Sequence, residues 1–227
     1  MITKINTGIN HISYYRKPNE YLSFQGKKEL FEATENNDII TLNHEINNGT
    51  DINSTDDYFG HTALHIACQN NNEDAVKALL KYSNIDVNKK NDIGDAPLIT
   101  ASKNNSTDAI KALLKSNDLD VNITDKNGLN ALHIACVKNY PDIVKELITH
   151  PKLDVNSRCG MHDFTALHLA LLNKKNTRCA QELVKCKNID TAIKTNPDFV
   201  NDLYEFSTIW RWNDAELFKE IEEKYKS

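Results

Sequence analysis

The sequence predicts an all-α solenoid: helix–turn–helix repeats joined by β-hairpin loops, stacked in a curve, with capping helices at both ends. Three observations carry that prediction. One phrase, Gly60-His61-Thr62-Ala63-Leu64-His65-Ile66-Ala67, returns as Gly94-Asp95-Ala96-Pro97-Leu98-Ile99-Thr100-Ala101 and as Gly128-Leu129-Asn130-Ala131-Leu132-His133-Ile134-Ala135. A looser copy follows at Phe164-Thr165-Ala166-Leu167-His168-Leu169-Ala170, and the aligned residues Ala63, Pro97, Ala131 and Ala166 stand 34, 34 and 35 residues apart. A second phrase keeps the same beat: Asp51-Ile52-Asn53, Asp86-Val87-Asn88, Asp120-Val121-Asn122 and Asp154-Val155-Asn156. Within each period apolar residues recur at helical spacing, as in Val76, Leu79 and Leu80. Such a period marks stacked units, each hiding its apolar face only against its neighbours.

Period, signature and loop phrase together resemble the ankyrin repeat, a β-turn and two antiparallel helices carrying a Thr-Pro-Leu-His-x-Ala signature. The resemblance covers roughly residues 27–210. It implies a protein-binding scaffold rather than a catalyst.

Residues 1–26 form an N-terminal arm with Ile2, Ile5, Ile9, Ile12, Tyr14, Tyr15, Tyr21, Leu22 and Phe24. Disordered tails are poor in such aromatics, so the arm is expected to pack over the open end of the stack, or to order on a partner. An N-terminal capping repeat follows at 27–53. Leu30, Phe31 and Ala33 mark one helix; Ile39, Leu42 and Ile46 mark a second, with Gly49 at its left-handed terminus.

Repeat one covers 54–88. Gly60 suits the hairpin tip, Thr62 caps the first helix, and Leu64, Ala67 and Cys68 share its inner face. Repeat two, 89–122, departs furthest from the pattern: Pro97 fits the first helical position, but Ala96 replaces the cap and Ile99 replaces the signature histidine. Repeat three, 123–156, is regular, with Asn130 as cap and Pro141 opening its second helix. Repeat four, 157–190, is irregular. Asp163 takes the expected Gly position, Gly160 lies three residues earlier, and one residue is inserted before Leu183. Residues 191–227 read as C-terminal capping helices, with Trp210 and Trp212 in the cap core.

Composition excludes several classes of function. Hydrophobic content of 40% and charged content of 26% suit a folded protein, and a net charge of −5 without a basic patch argues against nucleic acid. No apolar run approaches a membrane span, and nothing at the N-terminus resembles a signal peptide. Five cysteines without framework spacing read as reduced thiols. The expectation is a cytoplasmic monomer.

Candidate chemistry is sparse. His65, His133 and His168 share one repeat position, and the resemblance gives them a structural role, bonded to Thr62 or Thr165 and to loop backbone. Their protonation is expected to lower stability below about pH 6. Cys159, Met161 and His162 offer metal-ligand types, yet no Cys-x-x-Cys pair supports a site, so neither metal nor cofactor is expected. No phosphate loop or nucleophile elbow occurs, and no enzyme activity is expected. Asn88 and Asn122 sit in contexts that resemble sites of asparagine hydroxylases acting on ankyrin proteins. The competing reading is that these side chains bond loop backbone.

The resemblance places a partner, another protein or a peptide, in a cupped hand of hairpin fingers and first-helix palm. The fingers offer Tyr58, Phe59 and His61, then Asp92, Ile93 and Asp95. Lys126, Asn127 and Leu129 follow, then Met161, His162 and Phe164. The palm offers Gln69 and Asn70, Lys103 and Asn104, Val137 and Lys138, then Leu172 and Asn173. Exposed aromatics and Met are enriched at interfaces; packing between hairpins is the plainer account of Phe59 and Phe164. The alternative functional reading is an effector of an intracellular microbe, delivered into a host cell and using the same face.

A missing cap costs roughly 0.5–2 kcal/mol. Repeat two is therefore expected to show the fastest native-state hydrogen exchange of the four repeats. Protection there equal to that of repeat three would contradict the cap argument.

Overall fold

The computed structural model describes residues 18–160, 163–172 and 177–190, with side chains placed from residue 25. Most of the arm, Met161, His162, residues 173–176 and the whole C-terminal cap with Trp210 and Trp212 lie outside the described residues.

Within them ten helices pair off in order: α1 (Pro18–Glu35) with α2 (Ile39–Asn47), α3 (Ala63–Gln69) with α4 (Glu73–Leu79), α5 (Pro97–Lys103) with α6 (Thr107–Leu113), α7 (Ala131–Lys138) with α8 (Pro141–Leu147), and α9 (Ala166–Leu172) with α10 (Arg178–Val184). The odd-numbered helices pack side by side in one layer and the even-numbered ones in a second. No element reaches beyond the adjacent pair, so the described chain is an all-α solenoid. α1 begins at Pro18, ahead of Lys27, where the first helix was expected to start.

Most of these helices have seven residues, too few to hold as isolated helices in water. Burial between neighbours holds them instead. Leu64, Ala67 and Cys68 on α3, Leu98 and Ala101 on α5, and Leu132, Ala135 and Cys136 on α7 are all solvent-free. The outer layer buries Val76, Leu79, Ile110, Leu113, Ile143 and Leu147 in the same core. Small residues at one side of each inner helix let the next approach closely.

The caps follow the sequence. Thr62 Oγ1 accepts the N–H of His65 at 3.4 Å, while His65 Nδ1 accepts the N–H of Thr62 at 3.1 Å. Asn130 with His133, and Thr165 with His168, repeat this reciprocal arrangement. Ala96 makes no such bond. In its place Ile99, fully buried, joins Ala96 and Ile134 in a small apolar cluster with Ile123 and Leu129 packed against it. Repeat two has thus exchanged a polar lock for packing.

Between the paired helices the chain turns at Asn37, Asn71, Asn105 and Asn139, each left-handed with φ of 54–59°. Asn tolerates this conformation better than most residues. It also reaches forward: Asn71 Oδ1 accepts the N–H groups of Asp108 and Ala109, both at 3.0 Å, at the start of the next outer helix.

The Asp-Val-Asn phrase forms a second set of rungs. Asn53, Asn88, Asn122 and Asn156 each donate through Nδ2 to a carbonyl one repeat ahead, always at 2.7 Å. Each Oδ1 accepts the N–H of the following repeat's Asp at 2.8–2.9 Å. The preceding Asp carboxylates accept the same Asn residues' own N–H groups, closing a local turn.

The hairpin loops hold no strand among the described residues. Isolated bridges, Thr124 with Asn130 and Cys159 with Phe164, are all the ladder they form.

Because the repeat-two junction rests on packing, Ile99→Ala should destabilise the protein by about 2–5 kcal/mol. Urea denaturation followed by circular dichroism measures the loss, and a change under about 1 kcal/mol would show that the cluster contributes little.

Candidate functional site

The finger tips are pinned to one another rather than free. Gly60 has φ of 67°, and a Cβ there would lie 2.5 Å from Asp92 Oδ1 of the next loop. Asp92 N–H donates to the Phe59 carbonyl at 2.9 Å, and Lys126 Nζ from the third loop donates to the Asp92 carbonyl. Asp56 Oδ1 accepts the N–H groups of Tyr58 and Phe59 at 2.9 and 2.7 Å, folding the first tip back on itself. Asp56 is therefore a structural residue of the loop.

This scaffold presents apolar side chains outward. Tyr58 is 88% exposed, Phe59 56% and Ile93 51%. Between the first two fingers and helices α3 and α5 lies a groove of about 270 Å³, lined by Phe59, His61, Gln69, Ile93, Asp95, Thr100, Lys103 and Asn104. All of these but Thr100 were named from the sequence. Asn104 was assigned to the palm, and Thr100 was missed. Its position on the buried face of α5 gave no signal, yet the residue lines the groove, with its hydroxyl turned inward and buried.

The groove has a layered floor. The Phe59 ring lies 5.5 Å from that of His61, which stacks at 5.6 Å on His65. His61 Nδ1 is 3.6 Å from Asp56 Oδ2. His65 Nε2–H donates to the Asp95 carbonyl at 2.9 Å, tying finger two to helix α3.

Asp95 differs from its expected place at a finger surface. It is only 2% exposed, and its carboxylate is held by Lys103 Nζ at 2.7 and 2.8 Å. Lys103 also lies 3.4 Å from Asp125, itself buried. One ammonium between two carboxylates leaves a local excess of one negative charge and fixes the groove's polar wall.

The remaining predicted residues lie elsewhere on the same side. Gln69, Asn70, Asp92, Lys126, Asn127 and Lys138 are exposed. Leu129 is half-buried against the Ile99 cluster, and Phe164 is half-buried with its ring 5.6 Å from His168. These two serve packing as much as display. Met161 and His162 lie outside the described residues. Asn88 and Asn122, considered as hydroxylation sites, have both amide ends engaged in the rungs already described.

A larger depression of about 490 Å³ lies on the outer layer, lined by Lys77, Lys81 and Lys115. These lysines stand at the C-terminal turns of α4 and α6, where the helix dipole favours cations, so helix stability accounts for them. Among the described residues no group of three or more His, Cys, Asp or Glu side chains is placed to hold a metal. No described helix is long and apolar enough to cross a membrane.

A family model described as ankyrin repeats, in three copies, matches residues 30–125 and 117–195. The chain belongs to the ankyrin-repeat family. No curated protein matches it. Ankyrin repeats are in general protein–protein interaction modules and typically lack catalytic activity. In this ankyrin array the shared histidines are buried and bonded to their own caps, and His65 and His133 also bond to loop carbonyls of the next repeat.

Burial pushes the imidazoles of His65 and His168 from 6.5 down to about 4. For His65 the bond to the Asp95 carbonyl opposes that shift. Burial lowers His133 as well, against its bond to the Ser157 carbonyl. Unfolded histidines titrate near 6.5, so between that value and about 4 the unfolded chain binds protons that the folded array refuses. Stability should hold steady above about pH 7 and fall as pH drops from about 6.5 toward 4, by roughly 1 kcal/mol per pH unit for each histidine. Urea unfolding at about pH 7.5 and pH 5 tests this, and a His65→Gln, His168→Gln variant should show a flatter profile.

Proposed function

We propose that this ankyrin array is a non-catalytic adaptor that holds a protein or peptide on its concave side, centred on the groove between the first two fingers. The observation that carries the reading is the exposure of Tyr58, Phe59 and Ile93 around a pre-formed groove on otherwise interlocked loops. Rigid aromatic anchors on a fixed backbone lose little entropy on binding and supply most of an interface's energy. Solubility favours none of these side chains at a loop tip, and the ring stack beneath Phe59 holds it in place without covering it.

The groove suits a partner that inserts an apolar side chain between Phe59 and Ile93. Gln69 and Asn104 then supply hydrogen bonds at the palm, while Lys103 stays committed to its two carboxylates. Gln69, Asn70, Lys126, Asn127 and Lys138 form the polar rim, and the half-buried Phe164 extends the face toward repeat four.

Replacing Tyr58, Phe59 and Phe164 by Ala should reduce recovery of the partner from native-cell extract by about 30-fold or more, as loss of hot-spot anchors does. Quantitative mass spectrometry against the wild type reads the recovery, and circular dichroism should show unchanged helicity. Equal recovery by both proteins would move the site elsewhere.

A further inference from the structure

Two exposed apolar side chains on the concave side take no part in the groove. Val137 on α7 is 52% exposed and Leu172 on α9 is 45% exposed. Each comes six residues after the aligned alanine of its repeat, Ala131 or Ala166, so the two share one repeat position on inner helices that pack together. Gln69 and Lys103 hold that position in repeats one and two, and both line the groove. Val137 and Leu172 thus continue the groove's own row into repeats three and four. Stacking does not call for apolar side chains in this row, since polar ones serve in the earlier repeats. A single exposed apolar residue is ordinary, but two neighbours in register make a patch.

The free charges beside this patch have one sign. Lys138, exposed at the end of α7, stands where Asn70 and Asn104 stand in the earlier repeats, and its ammonium has no partner among the described residues. Lys126, on the finger of the same repeat, gives its ammonium to the Asp92 carbonyl, which leaves the charge without a carboxylate among the described residues. Lys103, by contrast, is committed to Asp95 and Asp125, and Asp163 on the fourth finger lies 3.8 Å from Arg158. A helix C-terminus accounts for a lysine at the end of α7 but not for the apolar pair beside it. The chain as a whole carries −5, so this strip runs against the overall charge.

We propose that Val137, Leu172 and Lys138 form a second docking point, for an acidic and apolar peptide segment of the partner. Side chains of the Leu or Phe type rest on Val137 and Leu172, and a neighbouring Asp or Glu carboxylate pairs with Lys138. This rests on the concave-face reading above and extends it from one anchor to two. Packed helices lie about 8–10 Å apart, so a segment with two apolar side chains about 10 Å apart covers both. Apolar contact supplies most of the attraction; the lysines select the sign of the partner's charge and hasten its approach. A partner that reaches both this point and the groove gains further, because its second contact forms within a complex already made.

The test pans a random linear peptide library displayed on phage against the full chain, then measures the selected peptides by fluorescence anisotropy. Peptides with Asp or Glu beside Leu or Phe should be enriched, and their affinity should fall as salt rises. A Val137→Gln, Leu172→Gln variant copies the residue that repeat one already uses in this row. It should keep its helicity by circular dichroism and bind those peptides at least about tenfold more weakly. Lys138→Glu should turn the selection toward peptides bearing Lys and Arg. Selection without an acidic preference would overturn the proposal. Peptides lost with Tyr58→Ala, Phe59→Ala but unchanged by the Gln variant would overturn it too, while leaving the adaptor reading in place. Peptides indifferent to both sets of substitutions would overturn both readings. A concentration-dependent dimer that the Gln variant dissolves would assign the patch to a second copy of this chain and overturn the proposal.

Discussion

Each helix pair in this chain carries an apolar face that only the next pair can cover. Leu64, Ala67 and Cys68 on α3 have no globular centre to turn toward; they meet α5, which in turn meets α7. Everything else in the structure keeps that stacking in register. The asparagines of the Asp-Val-Asn phrase do so most plainly, because each amide uses both its donor and its acceptor on backbone one repeat away. A rung of this kind opposes sliding, since a shift would break two hydrogen bonds at each junction as well as expose apolar side chains.

The histidines extend the same logic to the inner edge. A neutral imidazole accepts from its own cap and donates to the next loop, so one side chain ties three segments. The arrangement demands the uncharged form, and acid is therefore a solvent condition that attacks several junctions together. Repeat two escapes this by using Ile99, at the expense of a cap. Polar lock and apolar cluster are alternative solutions to one geometric problem.

Locked loops also explain how a surface of short turns can display aromatic side chains in fixed places. Asp92 over Gly60 and Lys126 over Gly94 interleave the fingers, and the Asp95–Lys103–Asp125 network braces the palm below. Such a face is pre-organised, so little ordering entropy is lost when a partner arrives.

The sequence by itself determined the architecture, the repeat period and the residues that cap the first helices. Those follow from period, helical spacing and cap chemistry, which are local and additive along the chain. It also named Phe59, His61, Gln69, Ile93 and Lys103 without showing that they converge on one groove. Only the tertiary structure decided that Asp95 turns inward to Lys103, that Asp56 folds the first tip, and that Thr100 lines the groove. Those placements are set by rotamers and packing, as where Lys103 of repeat two comes within 3.4 Å of Asp125 in repeat three, and a one-dimensional pattern does not encode them.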